Sequence, residues 1–307
     1  MPWLNVRVPA SSANLGPGFD SLALALGSYL TITVLPASRF HVVSPLPDGG
    51  RNLVEEAMHV VAEATGRSLP SCRVEVASAI PVARGLGSSA AAIVGGLVAA
   101  NALLGAPLAQ RELLHLAWSL EGHGDNVAAA LFGGAVLAYG TAEHPRAYQI
   151  PLRVPLMAVL FIPHAHGYTS EARAVLPHTV SRTVTVATAA RCALLTLALT
   201  TGQLELLREA MTDELHQPYR ARLYPYLPEA IAVACNAGAF GAALSGAGPA
   251  VIALTSNERV QQVAFAFREF AAQRDIPADI AVLPVVEHGA QCHVIAERDV
   301  EPDTVNP

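Results

Sequence analysis

Residues 81 to 91 read Pro81-Val82-Ala83-Arg84-Gly85-Leu86-Gly87-Ser88-Ser89-Ala90-Ala91, a Gly/Ser turn between a strand-like segment and an Ala-rich helix. Anion binding is the chemistry this pattern permits. Gly85 and Gly87 can take backbone conformations closed to other residues and let a ligand approach. The helix that follows offers unpaired N–H groups at the positive end of its dipole, and a nucleotide phosphate suits such a cradle. The chain contains no lysine, so its 19 basic residues are all arginine. Gly-Lys-Ser/Thr phosphate loops, protein kinases with a strand lysine and pyridoxal phosphate enzymes are therefore excluded. A loop that holds ATP here must do so through backbone amides.

Other reactive residue types are scattered. Cys72, Cys192, Cys235 and Cys292 form no CxxC pair and read as reduced, packed thiols. His164 and His166, spaced by one on a strand end, imitate a metal pair but have no third ligand in view. Trp3 and Trp118 read as packing residues.

The elements that must position the loop follow from composition and periodicity. The 307 residues are 52% hydrophobic and 14% charged, enough apolar material for one large or two medium cores. A net charge of −6 provides no basic footprint, so no nucleic-acid partner is expected. The first residues lack a basic and then apolar leader, which sets the cytoplasm as the expected compartment. Gly85 to Gln110 is uncharged and long enough to span a bilayer, but its Ser, Asn and Gly content and Pro107 favour a helix buried against a sheet.

Strands are expected at Leu4 to Val8, Ser28 to Leu35, Phe40 to Val43 and Cys72 to Ser78. A helix capped by Asn52, with Val54, Met58 and Val61 on one face, should end at Gly66. Helices follow at about Ser88 to Leu104, Gln110 to Leu120 and up to Phe132. Pro151 and Pro155 suggest a division into residues 1–153 and 154–307. In the second part Leu156 to Ile162 reads as a strand. Ala187 to Leu199 and Val263 to Ala272 read as core-facing helices, and Gly238 to Pro249 is a second glycine cluster. Glu297 to Pro307 is polar enough to fray.

Three small-residue motifs, at Pro9 to Asp20, Pro81 to Ala91 and Gly241 to Pro249, occur in an order that resembles the GHMP kinase superfamily. Within it, Pro9-Ala10-Ser11-Ser12-Ala13-Asn14-Leu15-Gly16-Pro17-Gly18-Phe19-Asp20 is most similar to the homoserine kinases. So are the turn Glu121-Gly122-His123-Gly124-Asp125-Asn126 and the segment Asp213 to Pro225. The resemblance covers Val8 to about Leu254. It implies an α+β, two-domain GHMP kinase fold, with an N-terminal part like domain 2 of ribosomal protein S5 and a ferredoxin-like C-terminal part.

The same resemblance implies ATP and L-homoserine as small-molecule partners, Mg²⁺ as cofactor and O-phosphohomoserine for threonine synthesis as product. Pro81 to Ala91 would wrap the triphosphate, with Mg²⁺ on Ser89 and Glu121. Asn14 and Asp20 would line the acceptor pocket, Asp20 orienting the amino acid and Asn126 holding the reacting hydroxyl. His123, Arg173 and Arg220 would bind the carboxylate, with Thr169 nearby and Asp125 as a weak base. A lysine–aspartate pair used elsewhere in the superfamily has no lysine here. Taken as residues alone, Asp20 could be a turn or cap residue, His123 a turn histidine, and Arg220 a surface partner of Asp213. Arg84 could be exposed and nonessential. Another small alcohol as acceptor, or a nucleotide-binding protein without catalysis, stays open, and a homodimer is allowed for.

Overall fold

The computed structural model describes residues 3–45 and 52–295. The first part of the chain runs through β1 (Trp3–Asn14), β2 (Gly18–Pro36), β3 (His41–Val43), α1 (Leu53–Thr65), β4 (Cys72–Ser78) and α2 (Ser88–Leu103). It continues with α3 (Gln110–Glu121), α4 (Asp125–Phe132), β5 (Ala135–Tyr139) and β6 (Arg146–Ile150). The second part begins with β7 (Met157–Pro163), α5 (Thr169–Ala174), α6 (Arg182–Thr201), α7 (Leu207–Ala210) and α8 (Gln217–Arg220). Then come α9 (Leu227–Asn236), β8 (Gly241–Leu244), β9 (Val251–Thr255), α10 (Val260–Gln273), β10 (Ala278–Pro284) and β11 (Gln291–Ile295).

The first sheet has the order β11-β1-β2-β4-β3, with β5 added to β2 and β6 to β5; only β3 and β4 pair in parallel. Helices α2 and α4 pack on β1 and β2, and α1 and α3 lie against α2. The second sheet is antiparallel, β10-β7-β9-β8, covered by α9 and α10 around Phe161, Phe267 and Phe270. This is the α+β, two-part architecture expected, with a ferredoxin-like second part.

Local signals account for much of it. Asn52 Oδ1 accepts from the N–H groups of Val54 (3.1 Å) and Glu55 (3.2 Å), a cap worth about 1 kcal/mol, and Gly66 ends α1 in the left-handed region at φ 63°. The uncharged segment from Gly85 to Gln110 contains α2, which packs on the first sheet as expected, its residues from Ala90 to Leu97 all buried. All four cysteines are free.

Several expectations need correction. β1 runs on to Asn14 rather than Val8, and β2 starts at Gly18 rather than Ser28, with register shifts at Pro9/Ala10 and Ala13/Asn14. Leu22 to Leu26 are buried on both faces, so they lack the alternation that marks a half-exposed strand. The division at residues 153 and 154 is incomplete, because β11 returns to pair with β1 in the first sheet. The helix over Ala187 to Leu199 faces the core over only part of its length: in α6 Leu195, Ala198 and Leu199 are buried in the core, whereas Val186 is 62% exposed. Its apolar residues run around the whole cylinder without a stripe. By length and composition α6 could cross a membrane, the one such helix among the described residues. The polar end from Glu297 to Pro307 lies outside the described residues.

Candidate active site

The loop of residues 81 to 91 is held from three sides. Leu86 O accepts from Ser11 N (3.1 Å), Ala83 O from Gly167 N (2.9 Å) and Arg84 O from Ala250 N (3.3 Å). Ser245 Oγ lies 2.7 Å from both Ser12 Oγ and Gly85 O. The three small-residue motifs thus meet, and their small size is a packing requirement. At Gly85 (φ 76°) a Cβ would sit 2.2 Å from Ser245 O, and at Gly87 (φ 69°) it would sit 2.1 Å from Ser11 Oγ. Gly87 is the N-cap position of α2, so the first amide groups of that helix open beside the loop.

A cavity of about 290 Å³ lies over this loop. Val82 to Ser89 line it, whereas Ala90 and Ala91 are fully buried and, like Pro81, are not part of its wall. Asn52, Leu53 and Val54 at the start of α1 and Gly246 to Gly248 line it as well. Sequence reasoning gave Asn52 only a capping role; its place beside a ligand cavity carries no local signature. Arg84 is not free, since Nη2 donates to His164 O (2.6 Å), tying the loop to the end of β7. His164 Nε2 is 3.3 Å from Asp279, while His166 stacks on Tyr168, so the two histidines do not form a pair. Among the described residues no group of His, Cys, Asp or Glu is clustered as a metal site of three.

At the mouth of α2, Ser89 Oγ donates to Glu121 Oε2 (2.6 Å). Burial pushes the Glu121 carboxyl above its usual range, more than the Ser89 hydrogen bond and His123 lower it. A hydroxyl and a buried carboxylate beside a phosphate cradle are hard oxygen donors, and the desolvated charge would be relieved by a cation: the pair fits Mg²⁺ completed by phosphate oxygens and water.

The other end of the cavity is charged. Asp20, in the left-handed region at φ 54°, accepts two hydrogen bonds from Arg173, Nη2 to Oδ1 (2.7 Å) and Nη1 to Oδ2 (2.9 Å). Asn14 supports the turn: its Oδ1 accepts from Asp20 N (3.1 Å) and its Nδ2 donates to Gly246 O (2.9 Å). His123 Nδ1 donates to Asp125 Oδ1 (2.9 Å), which also accepts from Asn126 N (2.7 Å). Burial pulls the His123 pKa down, but Asp125, Glu121 and Asp20 outweigh it and leave it raised. Asn126 Nδ2 donates to Ser11 Oγ (2.8 Å). Thr169, the first residue of α5, is exposed and lines the cavity.

Arg220 is 2% exposed and does not pair with Asp213. Its Nε donates to Ala172 O (3.1 Å) and Nη1 to Gly246 O (3.0 Å), and burial, then Arg173, lower its pKa to about 10. Every sequence-named acceptor residue, from Asn14 to Arg220, lines this one cavity.

The two-part α+β fold, with its glycine loop at the N-terminus of α2, is that of a GHMP kinase. The family model described as "GHMP kinases N terminal domain" matches residues 52–134, and "GHMP kinases C terminal" matches residues 195–273. The chain is 41% identical over 293 residues to a homoserine kinase of Desulfitobacterium hafniense, covering 94% of this chain and 99% of the relative. It is 48% identical over 256 residues to one of Deinococcus radiodurans, covering 80% and 82%. The crystal structure of homoserine kinase from Cytophaga hutchinsonii superposes with a TM-score of 0.86 at 29% identity, covering 95% of this chain and 98% of that one. The L. major mevalonate kinase, at 17% identity and a TM-score of 0.69, shares the fold. The chain belongs to the homoserine kinase family.

Proposed function

We propose that this protein transfers the γ-phosphoryl group of ATP to the hydroxyl of L-homoserine, yielding O-phospho-L-homoserine and ADP on the way to threonine. The observation that carries this reading is a single cavity with two unlike ends. One is a backbone cradle for phosphate; the other brings Asp20, His123, Arg173 and Arg220 together, the complement of an ammonium and a carboxylate.

In this reading the amides from Val82 to Ser89 and the start of α2 hold the triphosphate. Ser89 and Glu121 would hold Mg²⁺, which when bound neutralises charge on the phosphates. Asp20 takes the acceptor's ammonium. Arg220, Arg173 and His123 take its carboxylate, which requires Arg173 to exchange part of its contact with Asp20. Asn126 holds the reacting hydroxyl toward the phosphate. Asp125 Oδ1 is already engaged by His123 and the Asn126 amide, so alignment and charge stabilisation carry the rate rather than a strong base. Free nucleotide and amino acid as substrates are in keeping with a cytoplasmic enzyme.

A coupled ADP-release assay with Mg-ATP tests it. Turnover is expected with homoserine and not with mevalonate, galactose or shikimate; equal rates across that panel, or none, would overturn the acceptor assignment.

A further inference from the structure

Behind the acceptor end lie two buried groups that the reaction above does not use. Asp213, its side chain fully buried, accepts from the N–H groups of Leu215 (2.8 Å), His216 (2.9 Å) and Gln217 (2.7 Å), holding the start of α8. His216 is 0% exposed. Its Nε2 lies 2.7 Å from Gly16 O and 3.5 Å from Asp213 Oδ2, while Nδ1 lies 3.3 Å from Arg220 Nη1. The Phe19 ring covers both groups, 5.3 Å from the imidazole and 5.2 Å from the guanidinium carbon.

The hydrogen-bond partners decide the state of this ring. A carbonyl oxygen can only accept and a guanidinium can only donate. Nε2 must therefore carry the proton, and Nδ1 must present its lone pair. Burial and then the Arg220 charge hold the imidazole pKa below its usual value, against the pull of Asp213 and Asp20.

Arg220 is thereby anchored at Nε by Ala172 O and at Nη1 by Gly246 O and His216 Nδ1. Nη2 has no hydrogen-bond partner among the described residues, in a side chain that lines the cavity. We infer that His216, as the neutral Nε2-protonated imidazole, is a positioning residue that sets the plane of the Arg220 guanidinium, leaving Nη2 to meet the acceptor's carboxylate. The inference rests on the functional reading above. An imidazolium, or a side chain without an acceptor at Nδ1, removes one anchor and frees the fork to turn.

Two substitutions separate positioning from bulk structure. His216→Asn keeps an acceptor near Nδ1 and gives up the bond to Gly16; His216→Gln keeps a donor near Nε2 and gives up the acceptor toward Arg220. Loss of one hydrogen bond to a charged group should raise the homoserine KM of His216→Gln by about tenfold, with kcat and the ATP KM within about twofold. His216→Asn should stay within about threefold of the parent. Equal losses in both variants, or an ATP KM that rises with the homoserine KM, would overturn the proposal. Should His216→Gln fail to fold, long-range ¹H–¹⁵N spectra of the unsubstituted protein decide the matter. They should show the Nε2-protonated tautomer at about pH 7. An Nδ1-protonated or doubly protonated ring there would overturn it. Absence of homoserine turnover in the unsubstituted protein would instead overturn the functional reading, which the spectra do not depend on.

Discussion

In the proposed reading the two ends of the cavity recognise charge by different means. The phosphate end would use backbone: amides of the loop and of α2, with Gly85 and Gly87 placed where neighbouring chain comes too close for a Cβ. The acceptor end uses side chains, drawn from the end of β1, the start of β2, the segment before α4, α5 and α8, and several are oriented by a hydrogen-bonded neighbour. Backbone recognition depends on conformation and tolerates side-chain change that preserves it. Side-chain recognition depends on identity, and on the partners that hold each group in place.

That contrast can be broken by substitution at either end. The largest effect is expected for Arg220→Ala, which removes a charged hydrogen-bond partner of the carboxylate worth about 2–3 kcal/mol, or roughly 30- to 150-fold in kcat/KM for homoserine. The ATP KM should stay nearly constant; a larger change for ATP would move Arg220 out of the acceptor end. Gly87→Ala should do the opposite. A left-handed alanine costs about 1–2 kcal/mol, and its Cβ would meet Ser11 Oγ and come within 3.2 Å of Asn126 Nδ2, so the ATP KM should rise about tenfold with a smaller rise for homoserine. Steady-state kinetics with each substrate varied in turn reads both. The smallest effect concerns Glu121. Because burial raises its pKa, it loses its charge at a higher pH than an ordinary glutamate. At limiting Mg²⁺, activity should therefore fall on acidification while an ordinary glutamate would still be charged, and be restored by excess Mg²⁺. A fall that ignores Mg²⁺ would remove Glu121 from the cation site.

The same contrast explains how far the sequence could be read. The phosphate loop is local, and its glycines, its spacing and the helix that follows are contiguous. The acceptor end joins residues distant in sequence, such as Asp20 and Arg173, 153 positions from one another, and became legible only through resemblance. His216 stood inside a recognised motif without a role, because its role depends on Gly16 and Arg220 facing it in space. Leu22 to Leu26 hid a strand for a related reason. Alternating Leu and Ala are good helix formers, and burial on both faces erased the polar positions that mark a strand. α6 failed in the other direction: apolar residues placed all around a helix say nothing about which side meets the core.

The pairing of β11 with β1 has a consequence for synthesis. β1 carries the motif that braces both ends of the cavity, yet its outer partner is the last described strand. At about 5–20 residues per second, a ribosome needs roughly 15 to 60 seconds to supply it. For that interval β1 carries an open edge along Trp3 to Arg7, although its longer pairing with β2 needs only the chain up to Pro36.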